Sequence, residues 1–439
     1  MSLRISAYRS FHRNVVERWV LPRVFSAERI RQAVKPVSVS EVSSSSARIW
    51  FHAASVGELE SLWPVIMRWA EDGGELIVTV FSESARAAIE RLGKSIAATS
   101  GKALFIGYSP WEGRWLESIR AVRPQVFVTA KYEAWPELWA ALSLEKIPLV
   151  TVGARARRSF QVCRVICSFL GQRLPQMVLI PGVAEDAEPL RRIFPSARVE
   201  MLGEPRWDQV AKRARQGHPR ARALLEQFSE WPRPWGVLGQ TWPEDMDVWE
   251  KSLQELPGTV WVVPHRVERE RVSPLMEWFA ARGFDAIRTS EISEVEMTKR
   301  GRQDSSAQRA RPKVIVPEVI APKVIVVDEM GFLLELYARV DWAYIGGGFG
   351  AGVHSTIEPA IFGLPISCGP AGSHKFPEID QLQKAGQLRV LAGAQQVASW
   401  LKGRLEVAAA RRAEWRLQAE ARQGATQSIH RLISELTRG

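Results

Sequence analysis

Short apolar runs rich in Val, Ile, Leu and Trp alternate with longer amphipathic stretches along most of the chain. Runs this short and apolar throughout fit strands buried on both faces of a parallel sheet, and the stretches between them fit covering helices. The pattern predicts strands at 48–54, 76–81, 126–129, 149–152, 177–180 and 199–202, with helices at 58–71 and 83–92 in the first intervals. A second series predicts strands at 235–238, 260–263, 324–327, 342–345 and 366–368. Pro232-Arg-Pro234 separates the two series and reads as a hinge. The fold class this implies is α/β, with two Rossmann-like parallel-sheet domains facing a central cleft. Ligands of such sheets bind beyond the carboxyl ends of the strands.

The flanks carry other patterns. Residues 1–35 form a basic amphipathic segment, with Ile5, Tyr8, Phe11, His12, Val15, Val16, Trp19 and Val20 at helical spacing and Arg4, Arg9, Arg13, Arg18 and Arg23 between them. Such a helix either lies in an anionic membrane surface or packs on its own domain with its arginines solvated. Residues 36–47, rich in Ser and Val, read as a flexible linker. The first domain then runs over 48–231 and the second over 235–394. Residues 291–323 interrupt the second with charged sequence and a near duplicate, Pro312-Lys-Val-Ile-Val316 and Pro322-Lys-Val-Ile-Val326. One copy is expected to be the strand and the other part of a surface insertion. Residues 395–439 read as C-terminal helices.

The chain has 439 residues, enough for two cores. Its net charge is +11, and only 13 of its 59 basic residues are lysine. Arginine suits phosphate and carboxylate partners, although a genome-wide codon bias gives the same excess. No nucleic-acid motif accompanies the charge, so nucleic acid is not an expected partner. Three cysteines make no disulfide framework, and Cys163 and Cys167 lack the second Cys/His pair a zinc site needs. No apolar run approaches the roughly 18 residues that span a bilayer.

The most informative stretch is Gly346-Gly-Gly-Phe-Gly-Ala-Gly-Val-His354-Ser-Thr-Ile-Glu358-Pro, between a predicted strand and a predicted helix. Strand, glycine loop and helix start together present backbone N–H groups to a phosphate. The loop matches neither the dinucleotide nor the Walker pattern. Within it, Ser355-Thr-Ile-Glu358 is either a capping box or a site where Glu358 binds ribose hydroxyls, and Pro359 favours a helix start nearer Glu358. His52-Ala-Ala-Ser55-Val-Gly-Glu58 offers the same choice: a capping box, or a carboxylate at the strand end that takes a proton from an attacking hydroxyl. Lys131 in Lys131-Tyr-Glu-Ala-Trp135 either meets developing negative charge or is solvated surface. Arg206 in Gly203-Glu-Pro-Arg206-Trp-Asp208 either bridges to a phosphate or pairs with Asp208.

In their order these motifs, together with Thr241-Trp-Pro-Glu-Asp245, Pro264-His265 and Asp328-x-Met330-Gly331, resemble the 3-deoxy-D-manno-octulosonic acid (Kdo) transferases of lipid A assembly over about residues 48–390. The resemblance implies a GT-B glycosyltransferase that moves Kdo from CMP-Kdo to a lipid A precursor of the lipid IVA type, with inversion. It implies no cofactor and no metal in the transfer. By position, Glu58 matches the general base, and Lys131 and Arg206 match groups that stabilise transition-state charge. Thr241, Pro264, His265, Met330, Gly331, Phe332, Gly347, Gly348, His354, Ser355, Thr356, Ile357 and Glu358 match donor-binding stretches. The resemblance also implies a peripheral place on the cytoplasmic face of the bacterial inner membrane, with the basic N-terminal segment against the anionic surface.

Departures are present. Many members have Glu at Lys131 and Pro-Arg-His where this chain has Pro264-His265-Arg266. Gln240 stands where serine is common, and Ser355 where asparagine follows the histidine. Lys-Tyr-Glu and Thr-Trp-Pro-Glu-Asp are nonetheless similar to one branch of the family. Two other readings follow: a transferase using another nucleotide-activated sugar, or a non-catalytic relative that binds sugar nucleotide or lipid.

Overall fold

The computed structural model describes residues 3–39, 47–228, 233–292 and 324–438. It divides into two units, Met1–Gln209 with Arg422–Gly439, and Val210–Ala421. The chain passes from the first to the second within the helix Arg206–Gln216, upstream of the proline pair expected to be the hinge. It returns to the first after residue 421. The helix Ala425–Leu436 explains the return, because Ile429, Leu432 and Ile433 enter the first unit's core.

In the first unit, β1 (Arg48–Ala53), β2 (Glu75–Val80), β3 (Lys102–Tyr108), β4 (Val126–Ala130), β5 (Leu149–Ala154), β6 (Met177–Pro181) and β7 (Arg198–Val199) form one parallel sheet in the order 3-2-1-4-5-6-7. Alternation along β1 shows how both faces are covered. Ile49, Phe51 and Ala53 enter one apolar core, and Trp50 enters the other against Trp115 and Phe127. The apolar pattern does not predict β3: it is an edge strand, exposed at its start, and lacks the buried apolar run. The strand expected at 199–202 shrinks to β7.

In the second unit, β8 (Trp235–Thr241), β9 (Thr259–Pro264), β10 (Ala286–Arg288), β11 (Val324–Val326), β12 (Trp342–Ile345), β13 (Ile366–Cys368) and β14 (Leu388–Val390) form a second parallel sheet, ordered 10-11-9-8-12-13-14. β11 is the second copy of the near duplicate. The first copy, with the rest of the expected insertion over 293–323, lies outside the described residues. The edge strands β10 and β14, of three residues each, are too short to give a sequence signal.

The flexible-linker expectation fails over residues 36–39. Val37 is buried, and its N–H donates to Ser118 Oγ at 3.0 Å. Residues 40–46 lie outside the described residues. The N-terminal segment docks on its own unit through one face. Ile5 and Leu21 are buried, Arg9 Nε lies 3.0 Å from Glu137 Oε1, Arg13 pairs with Glu117, and Glu17 takes two hydrogen bonds from Arg114. Its other face keeps Phe11, Val15, Trp19 and Val20 exposed. No helix among the described residues is long and apolar enough to cross a membrane.

Candidate active site

Each sheet has a switch point near its middle, between β1 and β4 in the first unit and between β8 and β12 in the second. Crevices open at such switch points, beyond the carboxyl ends of the strands. The sequence motifs fall there. His52 to Glu58 follows β1, and Lys131 to Trp135 follows β4. Thr241 to Asp245 follows β8, and Gly346 to Glu358 follows β12. Pro264-His265 and Asp328 to Phe332 end the neighbouring strands β9 and β11.

In the first unit Glu58 sits in the opening turn of Val56–Glu71 with its side chain buried. Its Oε2 accepts the Ala54 N–H at 2.6 Å, while Ser55 makes no side-chain cap. The Glu58 carboxyl also accepts the N–H of Ser55, so the capping box exists only as its returning half. Burial pushes the Glu58 carboxyl up to about 8, and the nearby Glu133 carboxylate adds to the rise. The Ala54 N–H and the Lys131 ammonium oppose it. Lys131 reaches this point from the end of β4, where its backbone is left-handed at φ 60°. That conformation is held by the Lys131 N–H donating to Val152 O and by Arg155 N–H donating to Lys131 O. A Cβ on Gly57 would lie 3.6 Å from Lys131 Nζ, so the ammonium stands over the turn that carries Glu58.

Glu133 lies inside the Lys131–Trp135 motif, where spacing alone assigns it no role. Its Oε2 accepts from Trp135 Nε1 at 2.7 Å and lies 3.7 Å from His52 Nε2, which has no hydrogen-bond partner among the described residues. Arg206 does not pair with Asp208. Its Nε lies 3.2 Å from Glu204 Oε1, and Glu204 Oε2 points toward Gly153 and Gly182 at the ends of β5 and β6. Asp208 instead accepts from the Gly424 and Thr426 N–H groups at 2.6 and 2.7 Å, tying down the start of the last helix. A residue two positions away looks like the natural partner in sequence, but the helix directs the two side chains differently.

The glycine loop of the second unit departs from the expectation of free N–H groups. Gly346 N–H donates to Gly239 O, Gly347 N–H to Asp245 Oδ2, Gly350 and Gly352 N–H to Gly347 O, and Val353 N–H to Ala371 O. The glycines serve close approach within the protein. A Cβ on Gly346 would lie 2.3 Å from Gln240 O, and one on Gly348 would lie 2.4 Å from Gly369 N. Asp245, fully buried, is the carboxyl this loop already holds, and burial raises it above the usual carboxylate range while the loop's N–H groups oppose the rise. It accepts from Gly347 N–H at 2.7 Å, Trp242 N–H at 2.8 Å and Tyr344 OH at 2.5 Å. Gln240, at φ 57° in the irregularity of β8, is a second non-glycine in left-handed backbone at a strand end.

Beyond β8 and β9, Trp242 stacks on His265 (4.9 Å, 19°) and His265 on His354 (4.5 Å, 15°), and Trp242 Nε1 donates to His354 Nε2 at 3.3 Å. Burial lowers His354 to about 4, helped by His265, and burial also lowers His265. Both shifts favour the neutral rings. Thr241, Pro264 and His265 also line a cavity of about 350 Å³ with Met246, Leu275 and Trp278. Arg266 and Arg271 line it as well and give it positive charge.

The last stretch begins its helix at Ile357, with Thr356 in the cap position and no side-chain cap, so the capping-box reading fails here. Glu358 accepts from Arg213 Nη1 at 3.1 Å. Thr356 Oγ1 is buried and lacks a partner among the described residues, a polar atom available to a ligand. Met330 is exposed, whereas Phe332 is buried beside His218, so only the backbone of that residue is left for a ligand. Among the described residues no three His, Cys, Asp or Glu side chains gather into a metal-binding group.

Two parallel sheets with motif-bearing switch points define the fold class, which is GT-B-like. The structure of the kitacinnamycin glycotransferase shares this fold at TM-score 0.52 and 13% identity, over 89% of this chain and 99% of that one. Residues 25–209 match the family model of 3-deoxy-D-manno-octulosonic-acid transferase (kdotransferase). The 3-deoxy-D-manno-octulosonic acid transferase of Haemophilus influenzae is 25% identical over 75% of this chain and 72% of its own length. That of Chlamydophila psittaci is 24% identical over 75% and 71%. That of Aquifex aeolicus is 23% identical over 77% and 80%. Over these lengths the chain is similar to the Kdo transferases.

Proposed function

We propose that the protein transfers Kdo from CMP-Kdo to a hydroxyl of a lipid A precursor of the lipid IVA type, with inversion and without a metal. The observation that carries this reading is Glu58: a buried carboxyl at the switch point of the first unit, tuned to about 8 between Lys131 and Glu133. Once ionised, a carboxylate of that affinity is a stronger base than an ordinary one and takes the acceptor's proton most effectively as pH approaches 8. In the step, the acceptor oxygen bonds to the anomeric carbon and gives its proton to Glu58. The bond from that carbon to the phosphate oxygen breaks, and CMP leaves with the electron pair. Lys131 and Arg206 offset the charge that develops, Arg206 with its guanidinium oriented by Glu204. The donor stretches of the second unit, from Thr241 to Glu358, hold the nucleotide, Glu358 taking the ribose. The exposed Phe11, Val15, Trp19 and Val20, with Arg18 and Arg23 nearby, support peripheral contact with the anionic cytoplasmic face of the inner membrane.

The direct test is mass spectrometry of a tetraacylated lipid A precursor after incubation with the protein, freshly generated CMP-Kdo and EDTA. A gain of one or more Kdo masses is expected. No gain, with the acceptor shown competent by another Kdo transferase, refutes the reading.

Gln240 and Ser355 favour a second reading in which another nucleotide sugar is the donor. Thermal unfolding separates the two. CMP at 100 times its Kd should stabilise the fold by about 2.7 kcal/mol, while UDP and GDP at the same concentration leave the midpoint in place. A larger shift with UDP or GDP would transfer the assignment to that nucleotide. CMP binding with no transfer to any acceptor would identify a binding-only relative.

A further inference from the structure

The helix Arg158–Phe169 follows β5 and buries Phe160, Cys163 and Cys167 against the first unit's core. Its opposite face is unusual for a water-facing helix. Val162, Val165 and Phe169, at helical positions i, i+3 and i+7, are 56%, 63% and 69% exposed. Leu3, 90% exposed, extends the patch, since Arg4 Nη1 donates to Phe169 O at 2.8 Å and the Arg4 guanidinium lies over the Phe169 ring. Grouped exposed apolar side chains of this kind mark a surface that meets something.

The charge around the patch says what. From Arg155 to Ala184 the chain has five arginines and no Asp or Glu. Arg155 is engaged with Asp186, whereas Arg158, Arg164 and Arg173 are exposed around the apolar stripe. Apolar side chains flanked along their own stretch of chain by arginines complement a layer with an anionic surface and a hydrocarbon interior. The start of the helix is also attached to the candidate site. Arg157 lies over the Tyr132 ring at 5.5 Å, and Ser159 Oγ donates to Tyr132 O, next to Lys131 and Glu133.

We propose that the outer face of Arg158–Phe169, with Leu3 and Arg4, is a surface that inserts into an anionic lipid bilayer and presents the Lys131–Glu133 loop to a lipid acceptor. This rests on the transferase reading and adds to it a second contact, centred on a helix outside the N-terminal segment, of which only Leu3 and Arg4 take part. Val162, Val165 and Phe169 enter the acyl boundary, and Arg158, Arg164 and Arg173 meet lipid phosphates.

The test is flotation of the intact chain with vesicles of phosphatidylglycerol and phosphatidylcholine, and with phosphatidylcholine alone. The variants are V165E/F169E and R158Q/R164Q, with L417E as a control at an exposed leucine of the other unit. Wild type and L417E should float with anionic vesicles only. V165E/F169E should lose about tenfold or more in partitioning, because it replaces two inserted apolar side chains by charges. R158Q/R164Q should lose several-fold, and high salt should weaken the wild type in the same direction. These side chains are exposed, so circular dichroism and thermal midpoint should not change. Kdo transfer to a detergent-dispersed acceptor, read on the same preparations, should match wild type and keeps the transferase reading separately testable. Flotation of V165E/F169E equal to wild type overturns the proposal. So does concentration-dependent self-association that V165E/F169E abolishes, which would make the face a contact between copies.

Discussion

Replacing Glu58 by Gln is expected to lower kcat for Kdo transfer by about 10²- to 10⁴-fold, the usual contribution of a positioned general base. Nucleotide-induced stabilisation should be untouched, because Glu58 and the donor stretches lie in different units. The pH dependence carries the more specific expectation. The base must be ionised, and burial holds its carboxyl up to about 8. Wild-type kcat/KM should therefore rise about tenfold per pH unit below 8 and level off above it, and the E58Q residual activity should lack that rise. Stability moves the other way. Because the folded-state value lies above the unfolded one, the native protein keeps the proton longer. The stability this group contributes is fully present below the unfolded carboxylate range and is lost as pH rises through about 8. E58Q, which cannot ionise, should then be at least as resistant to unfolding as wild type at pH 8.5. An E58Q enzyme with near-wild-type turnover would remove Glu58 from the mechanism. An E58Q protein that unfolds more easily at pH 8.5 would show that its hydrogen bond to the Ala54 N–H outweighs its buried charge.

Much of this site is legible in the sequence because its residues sit next to strands that announce themselves. Val126–Ala130 and Thr259–Pro264 are buried along almost their whole length and read as continuous apolar runs, so the motif after each is fixed at a carboxyl end. Edge strands give no such run, which is why Lys102–Tyr108 escapes the pattern. Partner choice is where spacing misleads. Glu204 and Asp208 flank Arg206 symmetrically in sequence, yet only Glu204 pairs with it, while Asp208 holds a helix 216 positions away. The glycine loop misleads in another way. Glycines mark where a backbone comes close to something, and spacing does not say whether that is a phosphate or, as at Gly346 and Gly348, another stretch of the same chain. The correcting signal is Asp245, an acidic residue shortly after the end of β8. It comes within reach of the loop after β12 only once the strand order 9-8-12 is known.

Asp245 carries the second large expectation. Its carboxyl receives the Trp242 and Gly347 N–H groups and the Tyr344 hydroxyl, with the Phe349 N–H also bonded to it, so Asp245→Ala strands at least three donors at once. At about 1–3 kcal/mol for each buried donor left unmade, with partial relief by relaxation, the loss should be about 3–5 kcal/mol in chemical denaturation. Asp245→Asn should cost less, because the Tyr344 hydroxyl can turn and accept from the amide while the amide oxygen keeps both N–H groups. The consequence for binding follows from what those N–H groups position. Gly347 opens the loop that leads to His354 and Thr356, and Trp242 carries the stack on His265 and His354. Releasing both ends should abolish CMP-induced stabilisation in Asp245→Ala and weaken it in Asp245→Asn, with Glu58 and its pH profile left as they were. A purely structural role would lower the unfolding midpoint of Asp245→Asn while leaving its CMP affinity equal to wild type. If Asp245 positions the donor loop, the affinity must fall with the loop, in the order Ala beyond Asn, at temperatures where both variants remain folded.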